Sequence, residues 1–240
     1  MLKKFKSVMF LTTLVLLFYV TFYLMVRSSQ KHSDYIRSNV GSKVVKLINE
    51  NKLSGGTGFF VEAPSKVIYL MTNAHVCGTD GQTSIFYEVN KQLVKLKIIE
   101  VSTFTDLCLV EAPKSITEGL ELASDLTPGE EISVVGHPKL MPLTETKGQF
   151  IDYIDVFMGK PGPCQSETEN HQTALDRFGV FCVTKFRAGA TTVPALGGNS
   201  GSPVVNWKGD VVGVLFAGDP SDNWGLIISM GDIKTFLSVY

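Results

Sequence analysis

The first part of the chain is one long apolar run. Residues 8–26 contain no charged side chain, and as a helix these 19 residues would extend about 28 Å, enough to cross the hydrocarbon core of a bilayer. Three lysines precede the run, which predicts a cytoplasmic N-terminus and an uncleaved membrane anchor over residues 1–27. A cleaved signal peptide is the alternative, although its apolar core would be shorter and the residues around Arg27 make a poor cleavage site. In both cases the pattern predicts that the rest of the chain is exported, as a membrane-anchored or as a secreted protein.

Beyond a polar segment over residues 28–42, interpreted as a juxtamembrane linker, the pattern changes to short apolar runs separated by turn residues. Many short strands of this kind predict an all-β barrel or sandwich. Residues 112–130 are interpreted as a connector between two halves, 53–58 as a turn and 154–176 as a long loop. The last ten residues predict a short helix with three apolar side chains on one face. The predicted strands are 44–48, 59–61, 66–71, 84–87, 93–101, 107–110, 132–138, 148–151, 180–185, 211–216 and 224–229.

Composition and charge exclude two classes of protein. The chain has 240 residues, of which 44% are hydrophobic and 19% are charged. This composition excludes a disordered protein and is sufficient to bury a sizeable core. Residues 1–27 hold four bases and no acid, which leaves 18 bases against 23 acids in the remainder. Because a mildly acidic domain offers no basic stripe for phosphates, a nucleic-acid partner is not expected.

The four cysteines all follow the apolar segment, and their even number agrees with an oxidising, exported location. Four cysteines allow three disulfide pairings. A metal site is the alternative, and it is disfavoured because no two cysteines have the short spacing typical of zinc sites.

The stretch 196–205 crowds glycines around a single serine, Ser200. Glycine permits backbone conformations that expose a serine hydroxyl and leave N–H groups free beside it, as an acyl-transfer nucleophile requires. A glycine-serine hairpin loop is the alternative for this stretch alone. A candidate base, His75, lies within Tyr-Leu-Met-Thr-Asn-Ala-His-Val-Cys, and a candidate acid, Asp106, within Thr-Asp-Leu-Cys-Leu-Val.

Together, Thr-Asn-Ala-His-Val, Asp-Leu-Cys-Leu-Val and Gly-Asn-Ser-Gly-Ser-Pro resemble the His, Asp and Ser boxes of trypsin-like, chymotrypsin-fold serine proteases, in the same chain order. The resemblance covers residues 43–240 and is to the bacterial Htr-type and glutamyl-endopeptidase-like branch. It implies two six-stranded antiparallel β-barrels, at about 43–118 and 125–240, with a short C-terminal helix. It also places the end of the protease domain at that helix, so no PDZ module is expected to be appended.

The resemblance implies a role for each residue of the site. Ser200 would be the nucleophile, His75 the general base, and Asp106 the group that orients the imidazole. The backbone N–H groups of Gly198 and Ser200 would form the oxyanion hole. A second histidine, His137, lies where related proteases have asparagine in a turn and is assigned a structural role. No metal or organic cofactor is expected.

The same resemblance implies the disulfide pairing. If the triad forms, the base and the acid meet in the folded chain. Cys77 follows the base by two residues and Cys108 follows the acid by two, so the resemblance implies a Cys77–Cys108 bond and, with it, Cys164–Cys182.

The expected substrate pocket also comes from the resemblance. No acid lies at its base, which disfavours arginine or lysine at P1, the substrate residue before the cleaved bond. Glutamyl endopeptidases hold a carboxylate with a threonine and a histidine, whereas this chain has alanine and leucine at the matching positions. Because an unpaired buried carboxylate costs several kcal/mol, a small or medium apolar P1 residue is predicted. The expected pocket residues are Pro194, Ala195, Leu215, Phe216, Ala217 and Gly218.

These features bear on three functions. The sequence favours a serine endopeptidase that acts on protein or peptide substrates through an acyl-enzyme. A catalytically inactive protease-fold ectodomain that binds a peptide is the alternative. An esterase is disfavoured, because the strand-rich pattern lacks the strand-to-helix G-x-S-x-G elbow of α/β-hydrolases. The oligomeric state is left open.

Overall fold

A computed structural model describes residues 2–49, 54–78, 85–89, 92–102, 104–164, 171–176 and 179–240. Two antiparallel sheets follow one another along the chain, with a long helix before them and a short one after them. The predicted all-β fold with a short C-terminal helix is thus confirmed. Parts of three predicted elements, residue 53 of the turn, 84 of the fourth strand and 165–170 of the loop, lie outside the described residues. The helices are α1 (Leu2–Asn39), α2 (Ala74–Cys77) and α3 (Met230–Leu237), with 3-10 turns at Gly41–Lys43 and Pro138–Leu140.

The first sheet has seven strands in the order β5-β4-β1-β2-β3-β7-β6. Only Leu96 and Lys97 separate β5 from β6, although these two strands lie at opposite edges of the sheet. The stretch 92–102 therefore reaches both edges of the sheet. If β5 and β6 are counted as two segments of one strand, the sheet has the six strands expected of a barrel. The strands are β1 (Val44–Asn49), β2 (Gly55–Glu62), β3 (Ile68–Thr72), β4 (Ile85–Val89), β5 (Gln92–Lys95), β6 (Ile98–Ser102) and β7 (Leu107–Glu111).

The second sheet closes into a ring of six strands, because β9 pairs with both β8 and β11. A seventh strand, β10, lies on the outer side of β11. The long loop predicted over 154–176 is therefore wrong for its described parts, since β9 continues to Pro161 and β10 follows. The strands are β8 (Glu131–Gly136), β9 (Thr144–Pro161), β10 (His171–Asp176), β11 (Gly179–Thr191), β12 (Pro203–Val205), β13 (Val211–Asp219) and β14 (Trp224–Ile228).

Three apolar clusters hold these sheets together. Successive side chains of β2 alternate between two of them, as the pleat of a strand requires. Phe60 packs inside the first sheet, whereas Phe59 and Val61 pack in a cluster shared with Val205 and Val214 of the second sheet. The two sheets are therefore joined by a common core.

Residues 28–39, predicted to belong to a polar linker, are instead the last three turns of α1. Ile36 and Val40, which lie four residues apart on one helical face, are both 0% exposed and belong to the cluster between the sheets. They contact the turn at Gly209, where an added Cβ would lie 3.1 Å from Val40 Cγ2. The polar composition of residues 28–42 gave no sign that this part of the helix packs on the sheets, because its buried apolar residues are only Ile36 and Val40.

The N-terminal segment is helical, as its pattern predicts. Within the part of the chain whose placement the structure describes, no helix combines the length and the apolarity that crossing a bilayer demands. The membrane-spanning helix predicted over 8–26 is therefore not supported by the structure.

The C-terminal helix α3 matches its predicted position to within a few residues. The hydroxyl of Ser229 caps it, accepting a hydrogen bond from the Asp232 N–H at 3.2 Å. Ile233 and Leu237 are 0% exposed, and Phe236 is partly buried against the same cluster. The predicted apolar face is therefore the face that packs on the sheets.

Candidate active site

The imidazole of His75 and the carboxylate of Asp106 are in direct contact. His75 Nδ1 lies 2.8 Å from Asp106 Oδ2, and the His75 backbone N–H donates to Oδ1 at 3.0 Å. Both carboxylate oxygens are thus bound by the same histidine. The Asp106 side chain is 11% exposed and that of His75 44%, so the imidazole reaches solvent over a buried acid.

Local backbone contacts fix this pair. Asp106 has a left-handed φ of +52°, which aspartate tolerates better than most residues. Its carbonyl oxygen accepts hydrogen bonds from Ala74 N and Asn73 Nδ2, each at 3.0 Å. Thr72 pairs with Cys108 between β3 and β7, so the strand that ends just before the histidine and the strand that begins just after the aspartate are neighbours.

Ser200 follows a tight turn over residues 196–199. The Asn199 N–H donates to the Leu196 carbonyl at 2.9 Å, and Gly198 has φ +89°, the value a type II turn requires at its third position. The Gly197 carbonyl accepts from the Lys139 N–H at 2.5 Å. Because the C=O and N–H of a trans peptide point in opposite directions, the Gly198 N–H points away from Lys139.

The backbone around Ser200 leaves two donors free. Among the described residues, neither the Gly198 N–H nor the Ser200 N–H has a hydrogen-bond acceptor. The Ser200 carbonyl accepts from the Thr57 N–H at 2.8 Å, and the Gly201 N–H donates to the Leu215 carbonyl at 2.9 Å. The loop is therefore held through the groups that flank its two free donors.

Close packing brings the Ser200 backbone against the first sheet, near Val76. A Cβ placed on Gly56 would lie 2.7 Å from the Ser200 carbonyl oxygen and 2.6 Å from Cγ2 of Val76, the residue after the histidine. In the described part of the chain, no hydrogen bond joins Ser200 Oγ to the imidazole. Catalytic hydrogen bonds are often long before substrate binds, so the arrangement is compatible with a nucleophile and its base.

The residues expected to line the substrate pocket do not all pack in the same cluster: Ala195 and Leu215 belong to the core of the second sheet, and Phe216 and Ala217 to the cluster between the sheets. Ala195 Cβ lies 2.7 Å from where a Cβ on Gly218 would be, and Pro194 precedes it, partly buried. Leu215, 1% exposed, packs in the core of the second sheet. Phe216 and Ala217 instead pack in the cluster between the sheets, at an irregularity in the pairing of β13 with β14.

The structure also identifies residues that the sequence analysis did not select. Gly225 lies beside the expected pocket, since an added Cβ would be 3.0 Å from Leu215 Cδ1 and 2.5 Å from the Val193 carbonyl. Thr57, in the stretch predicted to be a turn, is a strand residue that contacts the Ser200 loop. The only sequence signal for it is the pair of flanking glycines, which is equally typical of a turn.

His137 lies in the corner after β8, as a structural residue would. Its Nδ1 is 2.9 Å from the Met141 carbonyl oxygen, and burial lowers the pKa of the imidazole below its ordinary value. The next residues, Lys139 and Leu140, both have left-handed φ values, +53° and +57°. The corner is thus a strained turn packed against Gly198, where an added Cβ would lie 2.6 Å from the His137 carbonyl.

Both expected disulfides are present. Cys77 is bonded to Cys108 and Cys164 to Cys182, with Cα–Cα distances of 6.5 and 4.6 Å. These bonds use all four cysteines of the chain, so none is left as a metal ligand. The first bond ties the His75 and Asp106 segments together.

A family model described as a trypsin-like peptidase domain matches residues 56–214, about two thirds of the chain. This protein belongs to the trypsin-like peptidase family. The matched range contains the histidine, aspartate and serine segments described above, and the resemblance drawn from their sequences is confirmed.

Individual relatives agree with this assignment. The "Serine protease HtrA-like" of Staphylococcus aureus (strain USA300) is 30% identical over 166 residues, which are 68% of this chain and 20% of the relative. The chain thus spans about a fifth of the length of the curated relatives that it matches.

Solved structures support the trypsin-like fold. The active form of the Rv3671c protease from M. tuberculosis has a TM-score of 0.64 at 20% identity, covering 85% of this chain and 82% of that one. A serine endoprotease from Yersinia pestis has a TM-score of 0.62 at 16% identity, covering 86% of this chain and 65% of that one. At these identities the likeness extends to the fold alone.

Proposed function

We propose that this protein is a serine endopeptidase that hydrolyses peptide bonds in protein or peptide substrates through an acyl-enzyme. Ser200 is the nucleophile, His75 the general base, and Asp106 the group that orients the imidazole. The observation that carries the proposal is the 2.8 Å contact between His75 Nδ1 and Asp106 Oδ2, together with a serine loop in which the Gly198 and Ser200 N–H groups have no acceptor in the described part of the chain.

The acid defines which imidazole nitrogen acts as the base. Asp106 Oδ2 accepts the Nδ1–H of His75, which leaves Nε2 unprotonated and able to take a proton. When Ser200 Oγ attacks the substrate carbonyl carbon, its proton passes to Nε2 and the carboxylate stabilises the resulting cation. The proton then moves to the leaving amine as the peptide bond breaks. Water repeats the sequence on the acyl-enzyme and releases the acid product.

The tetrahedral intermediates carry a negative charge on the former carbonyl oxygen. The N–H groups of Gly198 and Ser200 are assigned to this oxyanion, because both are free of other acceptors among the described residues. A donor already oriented before reaction is worth roughly 10²- to 10³-fold in rate in serine proteases.

We further propose a small or medium apolar residue at P1. The support is the apolar side chain of Ala195, which packs against Gly218 at the expected pocket. A P1 carboxylate buried against that side chain would lose its hydration without a partner. The two disulfides favour an extracytoplasmic location for this domain, since such bonds persist in oxidising compartments.

The test is covalent labelling and turnover of the purified full chain. A fluorophosphonate probe labels wild type in a one-to-one ratio, and peptides with Ala, Val or Leu at P1 are cleaved faster than peptides with Glu, Arg or Lys. The Ser200→Ala variant loses labelling, and its cleavage rate falls by roughly 10³-fold or more. Ser238→Ala, which removes an exposed hydroxyl at the end of α3, keeps both.

Two results would contradict the proposal. Cleavage that persists in Ser200→Ala would assign the chemistry to another residue. A folded wild-type chain that binds peptides but neither labels nor cleaves them would instead support an inactive peptide-binding ectodomain. A P1 profile dominated by Glu, Arg or Lys would overturn the pocket assignment alone.

A further inference from the structure

Thr57 connects the first sheet to the serine loop through its backbone. It lies in β2 between Gly56 and Gly58 and is 0% exposed. Its N–H donates to the Ser200 carbonyl at 2.8 Å, and its carbonyl accepts from Thr72 Oγ1 at 2.7 Å. Glycine at position 56 permits this approach, because a Cβ there would lie 2.7 Å from the Ser200 carbonyl oxygen.

The hydroxyl of Thr57 makes two more bonds, both to the second sheet. Oγ1 donates to the Gly198 carbonyl at 2.8 Å and accepts the His137 N–H at 3.0 Å. One buried hydroxyl therefore joins the serine loop to the corner over 137–141. Both of its partners are backbone groups that would be left without that bond if the hydroxyl were removed.

These bonds constrain the direction of the two free donors. The Gly197 carbonyl is held by Lys139 of the same corner, and the next carbonyl, that of Gly198, is held by Thr57. The Gly198 N–H shares its peptide with the Gly197 carbonyl, and the Gly198 carbonyl belongs to the following peptide, so both peptides that flank the Gly198 Cα are held by hydrogen bonds. The Ser200 residue is fixed in turn through its own carbonyl.

We propose that Thr57 is a positioning residue for the oxyanion hole. Its hydroxyl holds the peptide that follows Gly198 and the corner at His137, whose Lys139 N–H holds the peptide that carries the Gly198 N–H. This inference rests on the proposed function, because an oxyanion hole matters only if Ser200 attacks a carbonyl. A hydroxyl that merely stabilised the fold would change the amount of folded protein and leave turnover per active site unaltered.

The test compares Thr57→Val, which removes the hydroxyl and keeps the shape, with Thr57→Ser, which keeps the hydroxyl. Active sites are counted by labelling the full chain to completion with a fluorophosphonate, and kcat and KM are measured on one peptide. We expect Thr57→Val to lower kcat per labelled site by roughly 10- to 100-fold with KM within about twofold, because the lost interaction acts in the transition state. Thr57→Ser should remain within about threefold of wild type.

Ser133→Ala is the matched control. It removes another buried hydroxyl, which donates to Glu145 of the neighbouring strand β9, and it should leave kcat unchanged. If Thr57→Val does not fold, Thr57→Ala, which leaves room for water, takes its place.

Several outcomes would overturn the inference. They are Thr57→Val turnover per site within twofold of wild type, equal losses in the Val and Ser variants, and a loss confined to KM. Failure of both the Val and Ala variants to fold while Ser folds would make the hydroxyl structural and also overturn it. A wild-type chain that neither labels nor cleaves would contradict the proposed function instead.

Discussion

In the described part of the chain, three of the five non-glycine residues with left-handed φ lie around the candidate site. Asp106, Lys139 and Leu140 have φ values of +52°, +53° and +57°. Such conformations cost of order 1 kcal/mol or more each and persist where neighbours over-determine them. The Asp106 carbonyl has two donors, and Lys139 is bonded to Gly197, so the contacts that maintain the unusual backbone also build the site.

His137 gives this region a pH dependence. Burial lowers the pKa of its imidazole, reinforced by the charge of Lys46 and opposed by the Met141 carbonyl and Glu88. Its unfolded pKa is about 6.5, so the unfolded chain binds the proton first as the pH falls. The stability that the neutral imidazole contributes is therefore present above pH 6.5 and is lost as the pH falls toward the lowered folded value.

The prediction is checked by urea unfolding of wild type and His137→Asn between pH 8 and pH 5. The difference in unfolding free energy should be constant above about pH 7 and should move against wild type below pH 6.5. Two parallel curves over the whole range would show that His137 is not the titrating group.

Among the secondary-structure elements, the C-terminal part of α1 was predicted least well from the sequence pattern. The side chain of Ile36 in its last turns, and that of Val40 directly after the helix, enter the core shared by both sheets, although the residues around them are mostly polar. The Tyr35 hydroxyl also donates to the Lys208 carbonyl at 3.2 Å. The end of this helix is therefore part of the folded domain.

Truncating Ile36 should be costly for that reason. Ile36→Ala removes a fully buried side chain and should reduce the unfolding free energy by about 2–5 kcal/mol in chemical denaturation of the full chain. Lys31→Ala, on an exposed position of the same helix, should change it by no more than about 0.5 kcal/mol. Equal stability of the two variants would mean that α1 does not dock in solution.

At the scale of the whole molecule, the two disulfides should contribute similarly to the free energy of unfolding, but they lie in different places. Their sequence separations are 31 and 18 residues, for which loop-closure entropy gives roughly 3–4 kcal/mol each. Cys77–Cys108 joins the segments of His75 and Asp106, whereas Cys164–Cys182 lies near the end of β9.

Removing each bond should therefore separate stability from activity. The Cys77→Ala, Cys108→Ala double variant and the Cys164→Ala, Cys182→Ala double variant should lose similar unfolding free energy. At a temperature where both remain folded, we expect cleavage to fall by about tenfold or more in the first and to stay near wild type in the second. Equal activities would show that β3–β7 pairing alone holds the imidazole against the acid.

The features that depend only on consecutive residues could be predicted from the sequence. The segments around His75, Asp106 and Ser200 indicated the family, alternating apolar runs indicated the strands, and the apolar face of α3 indicated its packing. Each of these signals is local, because a peptide box or a strand period depends only on its own residues.

Tertiary structure alone decided the features that depend on partners distant in the chain. Residues 55–58 have the composition of a turn and form a strand, because they pair with β1. Gly56 also leaves room for the Ser200 carbonyl, from more than 140 residues away in the chain. The extension of β9 required β11 as its partner, and the burial of Ile36 required both sheets. A hydrogen bond or a buried contact depends on both of its residues. A single stretch of sequence therefore cannot predict one whose partner lies far away in the chain.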